Sequence, residues 1–176
     1  MKRLLLLRHA KTEDINKDTP ADRERVLTER GRRDAPRIGR AMDVKGYLPD
    51  LVLCSPSTRT RQTLELAAAE FGDNVPTRFV EEIYDARASE LIALIRDVPA
   101  EVARLLLVGH NPGFEDVART LVKKSVDPET RALAAMLKEK FPTCALAVVD
   151  FDIEDWSDIA PLTGELRDFT RPKDLD

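Results

Sequence analysis

Three short stretches of this chain are apolar at every position: Leu4–Leu7, Leu51–Cys54 and Leu105–Val108. A strand solvated on one face alternates, whereas a run without alternation needs cover on both faces, as strands of parallel sheets have. Between such runs lie longer segments with helical periodicity. The pattern predicts an α/β fold with a mostly parallel central sheet and helices on both faces. Six strands are expected: Arg3–Arg8, Leu51–Cys54, Thr77–Val80, Leu105–Val108, Cys144–Phe151 and Glu165–Phe169.

Helix boundaries follow from capping chemistry. Ser55 with Pro56 behind it is expected to open a helix that runs through Leu64, Ala67 and Phe71 until Gly72 ends it. Asn111 and Pro112 open another, in which Phe114, Val117, Ala118, Leu121 and Val122 form a core-facing stripe. Shorter helices are expected over Ser89–Arg96 and Glu129–Lys140. Thr28 caps one through about Met42, with a kink expected at Pro36, which has no N–H to donate. The nearly all-polar segment Thr12–Arg25 reads as an exposed loop.

Nothing divides the 176 residues into parts, so residues 1–176 are expected to form one domain. The 28 Lys and Arg against 32 Asp and Glu leave a net charge of -4, which argues against a generally basic nucleic-acid binder. The run Leu4–Leu7 is too short for a signal peptide's apolar region and far too short for a bilayer. Cys54 and Cys144 sit far apart in apolar segments, so reduced thiols and a cytoplasmic protein are expected; whether Cys54 makes the protein oxidation-sensitive stays open.

Both histidines follow an apolar run directly, His9 after Leu4–Arg8 and His110 after Leu105–Gly109. In open parallel sheets, ligands bind at the ends where these residues stand. The third run leads into a segment carrying Arg59, Arg61 and Gln62. Arg8, His9, His110 and Arg59 can thus meet in one crevice. Guanidinium forks favour a tetrahedral oxyanion, and imidazole can attack phosphorus or donate to its oxygens. Arg61 points some 200° around the helix from Arg59 and belongs to the surface. No glycine-rich nucleotide loop is present, two lone histidines are a poor basis for zinc, and neither a cofactor nor a metal is implied. The arginines at 23, 25, 30, 32, 33, 37 and 40 read as a solvated face, with docking of an acidic partner as the second reading.

These residues carry a resemblance. Leu7-Arg8-His9-Ala10-Lys11 resembles the Arg-His signature of the histidine phosphatase superfamily, with its phosphoglycerate-mutase-like fold. Leu27-Thr28-Glu29-Arg30-Gly31 resembles its Leu-Thr-x-x-Gly element, Ser55 through Thr63 its Ser-x-x-x-Arg-x-x-Gln-Thr element, and Val108-Gly109-His110-Asn111-Pro112 the segment of its second histidine. The later part, Phe141 to Lys173, is similar to the SixA-type branch of small phosphohistidine phosphatases.

The resemblance implies a phosphatase that forms a phosphohistidine on His9, with Arg8, Arg59 and His110 binding the phosphoryl group. For the general acid it points to Asp85, in Ile83-Tyr84-Asp85, with Glu81 and Glu82 as neighbouring candidates. The implied partner is a phosphorylated protein, such as a histidine-phosphotransfer domain, or a small phosphate ester, with neither nucleic acid nor membrane. A small-molecule phosphomonoesterase and a non-catalytic phosphate-binding module remain the alternatives, and an arginine-rich nucleic-acid adaptor is a third.

Overall fold

The computed structural model describes residues 1–18, 21–72 and 74–175. Its strands are β1 (Lys2–Arg8), β2 (Leu51–Cys54), β3 (Thr77–Phe79), β4 (Arg104–Gly109), β5 (Leu146–Phe151) and β6 (Glu165–Thr170). Its helices are α1 (Glu29–Val44), α2 (Thr58–Phe71), α3 (Ala88–Arg96), α4 (Gly113–Leu121) and α5 (Pro128–Glu139).

The six strands form one sheet in the order β3-β2-β4-β1-β5-β6. The pairs β3/β2, β2/β4 and β4/β1 are parallel, while β5 and β6 extend the sheet in antiparallel fashion. The apolar runs explain themselves in this setting. Leu4 and Leu6 pack in one core and Leu5 and Leu7 in the other, as successive strand residues point to opposite faces. In β4, Leu105 and Leu107 divide from Leu106 and Val108 in the same way.

One core is closed by α1 and α2 through Ile38, Met42, Leu64 and Ala67. The other is closed by α3, α4 and α5 through Leu91, Ile95, Phe114, Val117 and Leu137. Helices therefore cover both faces, as the mostly parallel pattern requires. The chain steps from β1 outward to β2 and β3, then turns back to insert β4 between β2 and β1. Such a reversal leaves a crevice at the carboxyl ends of the strands.

Several boundaries differ from expectation. Ser55 does not cap α2: that helix begins at Thr58 with Ser57 before it, and Thr60 Oγ1 donates back to the Ser55 carbonyl at 2.7 Å. Strand β5 begins at Leu146, because Cys144 adopts a left-handed backbone (φ 61°) and spends its N–H on the His9 carbonyl at 2.9 Å. Strand β3 ends at Phe79 and lies exposed at the sheet edge. Helix α1 is capped by Thr28 as expected, its Oγ1 accepting from Gly31 N at 3.1 Å, and runs on through Pro36 to Val44.

Candidate active site

Neighbouring parallel strands bring the two histidines together. Arg8 at the end of β1 is in register with Gly109 at the end of β4, and His9 N donates to the Gly109 carbonyl at 3.0 Å. The next residue of each strand is a histidine, and their ring centroids lie 5.5 Å apart. A separation of about a hundred residues along the chain thus disappears in one register pair.

The third strand end adds Ser55, fully buried, whose Oγ lies 2.8 Å from His110 Nε2. Beyond it, the first turn of α2 carries Arg59, also buried. Arg8 Nη1 donates to the Phe141 carbonyl at 2.9 Å, and Asn111 Nδ2 donates to the same oxygen at 2.9 Å. The Tyr84 and His110 rings meet nearly at right angles, with centroids 5.4 Å apart, and the Tyr84 ring centre lies 5.8 Å from the Arg59 guanidinium carbon. The structure therefore brings Arg8, His9, Arg59 and His110 into one cluster.

Hydrogen bonding fixes the His9 ring. Nδ1 lies 2.8 Å from the carbonyl oxygen of Ala10. A carbonyl can only accept, so Nδ1 carries the proton and Nε2 of the neutral ring is left with its lone pair. Burial pushes His9 down to about 3, helped by its neighbours His110, Arg59 and Arg8. Burial, then Arg59, brings His110 to about 4. Both rings are neutral at physiological pH.

Against these neutral rings stand unmet donors. Arg8 Nε, Arg59 Nε, His110 Nδ1 and the acceptor Asn111 Oδ1 are buried and have no hydrogen-bond partner among the described residues, and His110 Nδ1 is a donor when Ser55 Oγ donates to Nε2. A buried donor left without an acceptor costs roughly 1–3 kcal/mol. Three in one cluster, two of them on guanidinium groups, form a site that an oxyanion satisfies. Among the described residues, no three His, Cys, Asp or Glu side chains converge as metal ligands.

Asp85 stands at the rim. It is exposed, adopts a left-handed backbone (φ 55°), and lines a cavity of about 260 Å³ together with His110, Asn111 and Pro112. Its carboxylate makes no hydrogen bond or ion pair among the described residues. Glu81 is held by both terminal nitrogens of Arg23, which keep its carboxyl below the usual range. Glu82 is exposed. Arg61 lies outside the cluster, its guanidinium carbon 4.0 Å from the centre of the Phe79 ring.

Three residues of the cluster escape the sequence reading. Ser55 reads as a helix cap, yet its position at the very end of a buried strand is the signal that places it beside His110. Thr63 accepts from Ala10 N through Oγ1 at 2.9 Å and so ties α2 to the residue after His9. Asp22, in the segment read as an exposed loop, reaches Arg59 and Tyr84. No local pattern marks it.

Comparison with known proteins agrees with this geometry. The model of the histidine phosphatase superfamily (branch 1) matches residues 4–104. An uncharacterised protein of Mycobacterium tuberculosis is 36% identical over 167 residues, covering 95% of this chain and 100% of its own. A crystal structure from Agrobacterium tumefaciens, described as a candidate phosphohistidine phosphatase SixA, superposes with a TM-score of 0.80 at 32% identity, covering 97% of this chain and 98% of that one. The protein histidine phosphatase SixA complexed with tungstate shares the fold, with a TM-score of 0.77 at 21% identity over 99% of both chains. With two histidines and two arginines gathered at the ends of its parallel strands, the chain belongs to the histidine phosphatase superfamily, in its SixA-type branch, and is a histidine-type phosphatase.

Proposed function

We propose that the protein removes phosphoryl groups from phosphorylated histidines of a partner protein, through a phosphohistidine formed on its own His9. The observation that carries this reading is the His9 ring, locked by the Ala10 carbonyl with a free Nε2 lone pair beside three unpartnered buried donors.

Nε2 attacks phosphorus in line, a P–N bond forms, and the bond from phosphorus to the leaving group breaks. Water then hydrolyses the new P–N bond, releasing inorganic phosphate and restoring the neutral ring, so one barrier is divided into two. Arg8 Nε and Arg59 Nε meet the equatorial oxygens. Ser55 can donate its hydroxyl proton to His110 Nε2, which leaves the His110 N–H on Nδ1 and adds a third donor to the same oxygens. Such transition states are loose, so positioning and charge stabilisation supply most of the acceleration.

The substrate class follows from the leaving group. An alkoxide, conjugate to an alcohol of pKa ~15, comparable to bulk water, needs a proton from an acid. A phosphohistidine ring protonated on its other nitrogen, which costs little for an imidazole with pKa ~6.5, leaves as neutral imidazole and needs far less help. Asp85, the proposed acid, stands exposed on the rim, which suits the less demanding substrate. The likeness to a candidate SixA phosphatase supports the same choice, and two free, buried cysteines suit a cytoplasmic setting.

Incubation with an aryl phosphate, a quench in alkali and mass spectrometry should find the added phosphate on His9, and His9→Ala should abolish turnover. A label on another residue, or undiminished turnover in the variant, rejects the reading. Faster release from a phosphorylated histidine-phosphotransfer domain than from a panel of metabolite phosphates is expected; the reverse order would make the protein a small-molecule phosphomonoesterase.

A further inference from the structure

The turn Asp22–Glu24 lies in the connection between β1 and α1, yet it closes on the active site. A backbone bridge between Thr12 and Leu27 folds the connection back on itself, and Gln62 of α2 accepts from Leu27 N at 2.9 Å. Asp22 is thereby brought to Arg59. Its carbonyl oxygen accepts from Arg59 Nη1 at 2.8 Å, and its carboxylate Oδ2 accepts from Nη2 at 3.1 Å. One residue occupies both terminal nitrogens, and Nε is the nitrogen left without a partner.

The carboxylate is itself held from two further sides. Tyr84 donates its hydroxyl to Oδ2 at 2.5 Å, and Arg25 Nη1 donates to Oδ1 at 3.1 Å. Led by the Tyr84 hydrogen bond, these contacts bring Asp22 down to about 2, so it is ionised. Arg23, anchored by Glu81, lies over the Tyr84 ring with its guanidinium carbon 4.6 Å from the centre. Asp22 to Arg59, Asp22 to Tyr84 and Tyr84 to His110 form a connected frame around the two phosphoryl-binding groups.

A guanidinium is a rigid plane, so fixing one edge decides where the other points. We propose that Asp22 is a positioning residue that holds Arg59 by its terminal nitrogens and turns Nε–H toward the phosphoryl oxygens, with Tyr84 keeping Asp22 in place. The competing idea is that the carboxylate occupies the seat of the substrate phosphate and must be displaced. It fits the contacts less well, because a blocking acceptor would take the Nε–H as well. The proposal rests on Arg59 being a phosphoryl ligand, and the test separates the two.

The experiment compares vanadate inhibition, kcat and KM for p-nitrophenyl phosphate, and thermal midpoints, among wild type, Asp22→Ala, Asp22→Asn, Tyr84→Phe and Arg59→Ala. Loss of a residue that orients a site group typically costs about 10- to 100-fold. Asp22→Ala should therefore weaken vanadate binding and lower kcat/KM in that range, mainly through kcat, with a modest fall in its midpoint from the lost contacts. Asp22→Asn, which keeps an oxygen for Nη2, should recover most of the loss, and Tyr84→Phe should show a smaller loss in the same direction. Asp22→Ser gives the same reading should the alanine variant fail to fold. Unchanged or tighter vanadate binding in Asp22→Ala overturns the proposal, and so does a failure of Asp22→Asn to recover. Wild-type vanadate binding in Arg59→Ala overturns the assignment of Arg59 instead.

Discussion

A histidine kept neutral by burial is a group that the unfolded chain would protonate, so the two clustered histidines make stability depend on pH. His9 at about 3 and His110 at about 4 both lie below the ordinary 6.5. Between roughly pH 4 and 6.5 the unfolded state therefore binds more protons than the native state, and stability rises with pH across that window. Each such group contributes at most about 1.4 kcal/mol per pH unit. His9→Ala removes one of them, so its stability should fall less steeply than that of wild type as pH drops from 6.5 to 4. Urea unfolding at several pH values checks this; parallel curves would show that His9 is not buried neutral. Cysteine follows the same logic with the opposite charge. Burial pushes the Cys54 thiol up to about 12 and the Cys144 thiol higher still, so neither supplies the thiolate that reacts. Ellman's reagent should label both cysteines only after denaturant is added, and rapid labelling of Cys54 in the native enzyme would reveal an oxidation-sensitive site.

At the scale of elements, Arg59 depends on how closely α2 can approach α1. A methyl group at Gly39 of α1 would stand 2.2 Å from the carbonyl oxygen of Ala67 in α2, where ordinary contact needs well over 3 Å. Alanine is the better helix former by about 1 kcal/mol, but overpacking costs about 1–3 kcal/mol and here forces backbone apart from backbone. Gly39→Ala should therefore lower both the thermal midpoint and kcat, because α2 must shift with Arg59 on it; a midpoint equal to or above that of wild type would contradict the packing. What the sequence discloses about these elements has a physical boundary. Runs such as Leu4–Leu7 announce themselves because both faces of the strand are covered, and His9 and His110 follow from standing directly after such runs. Arg59 follows in the same way from the segment after the third run, and the resemblance sets it apart from the other charged helix residues. Ser55 is misjudged because a serine before proline has the chemistry of a cap, while its actual partner, His110, arrives from β4. Asp22 lies in a polar stretch without periodicity, and only the return of that stretch along Thr12 and Leu27 onto α2 gives it a role. Contacts made by tertiary approach leave no local pattern.

The whole molecule carries a net charge of -4, yet the candidate active site is cationic: Arg8, Arg59 and two neutral imidazoles, with three buried donors unmet. Two carboxylates stand by the cluster and neither takes the unmet donors: Asp22 is bound to the terminal edge of Arg59, and Glu115, close enough to Arg8 to act on its charge, accepts from Asn111 Nδ2 at 3.3 Å. Folding therefore assembles a site that is more stable with an anion than without one, and anion binding should be visible as thermal stabilisation. A ligand at about 100 times its Kd adds ~2.7 kcal/mol to the native state. For a domain of this size, with roughly 2–4 °C per kcal/mol, that corresponds to a rise in Tm of about 5–10 °C. Vanadate or tungstate should produce this shift in wild type and much less in Arg59→Ala. Chloride at equal ionic strength should produce little, because it carries a single charge and lacks the separate oxygens that an oxyanion sets against separate donors. Equal shifts in wild type and Arg59→Ala would mean that the oxyanion binds elsewhere, and the cluster at the ends of β1 and β4 would lose its claim to the chemistry.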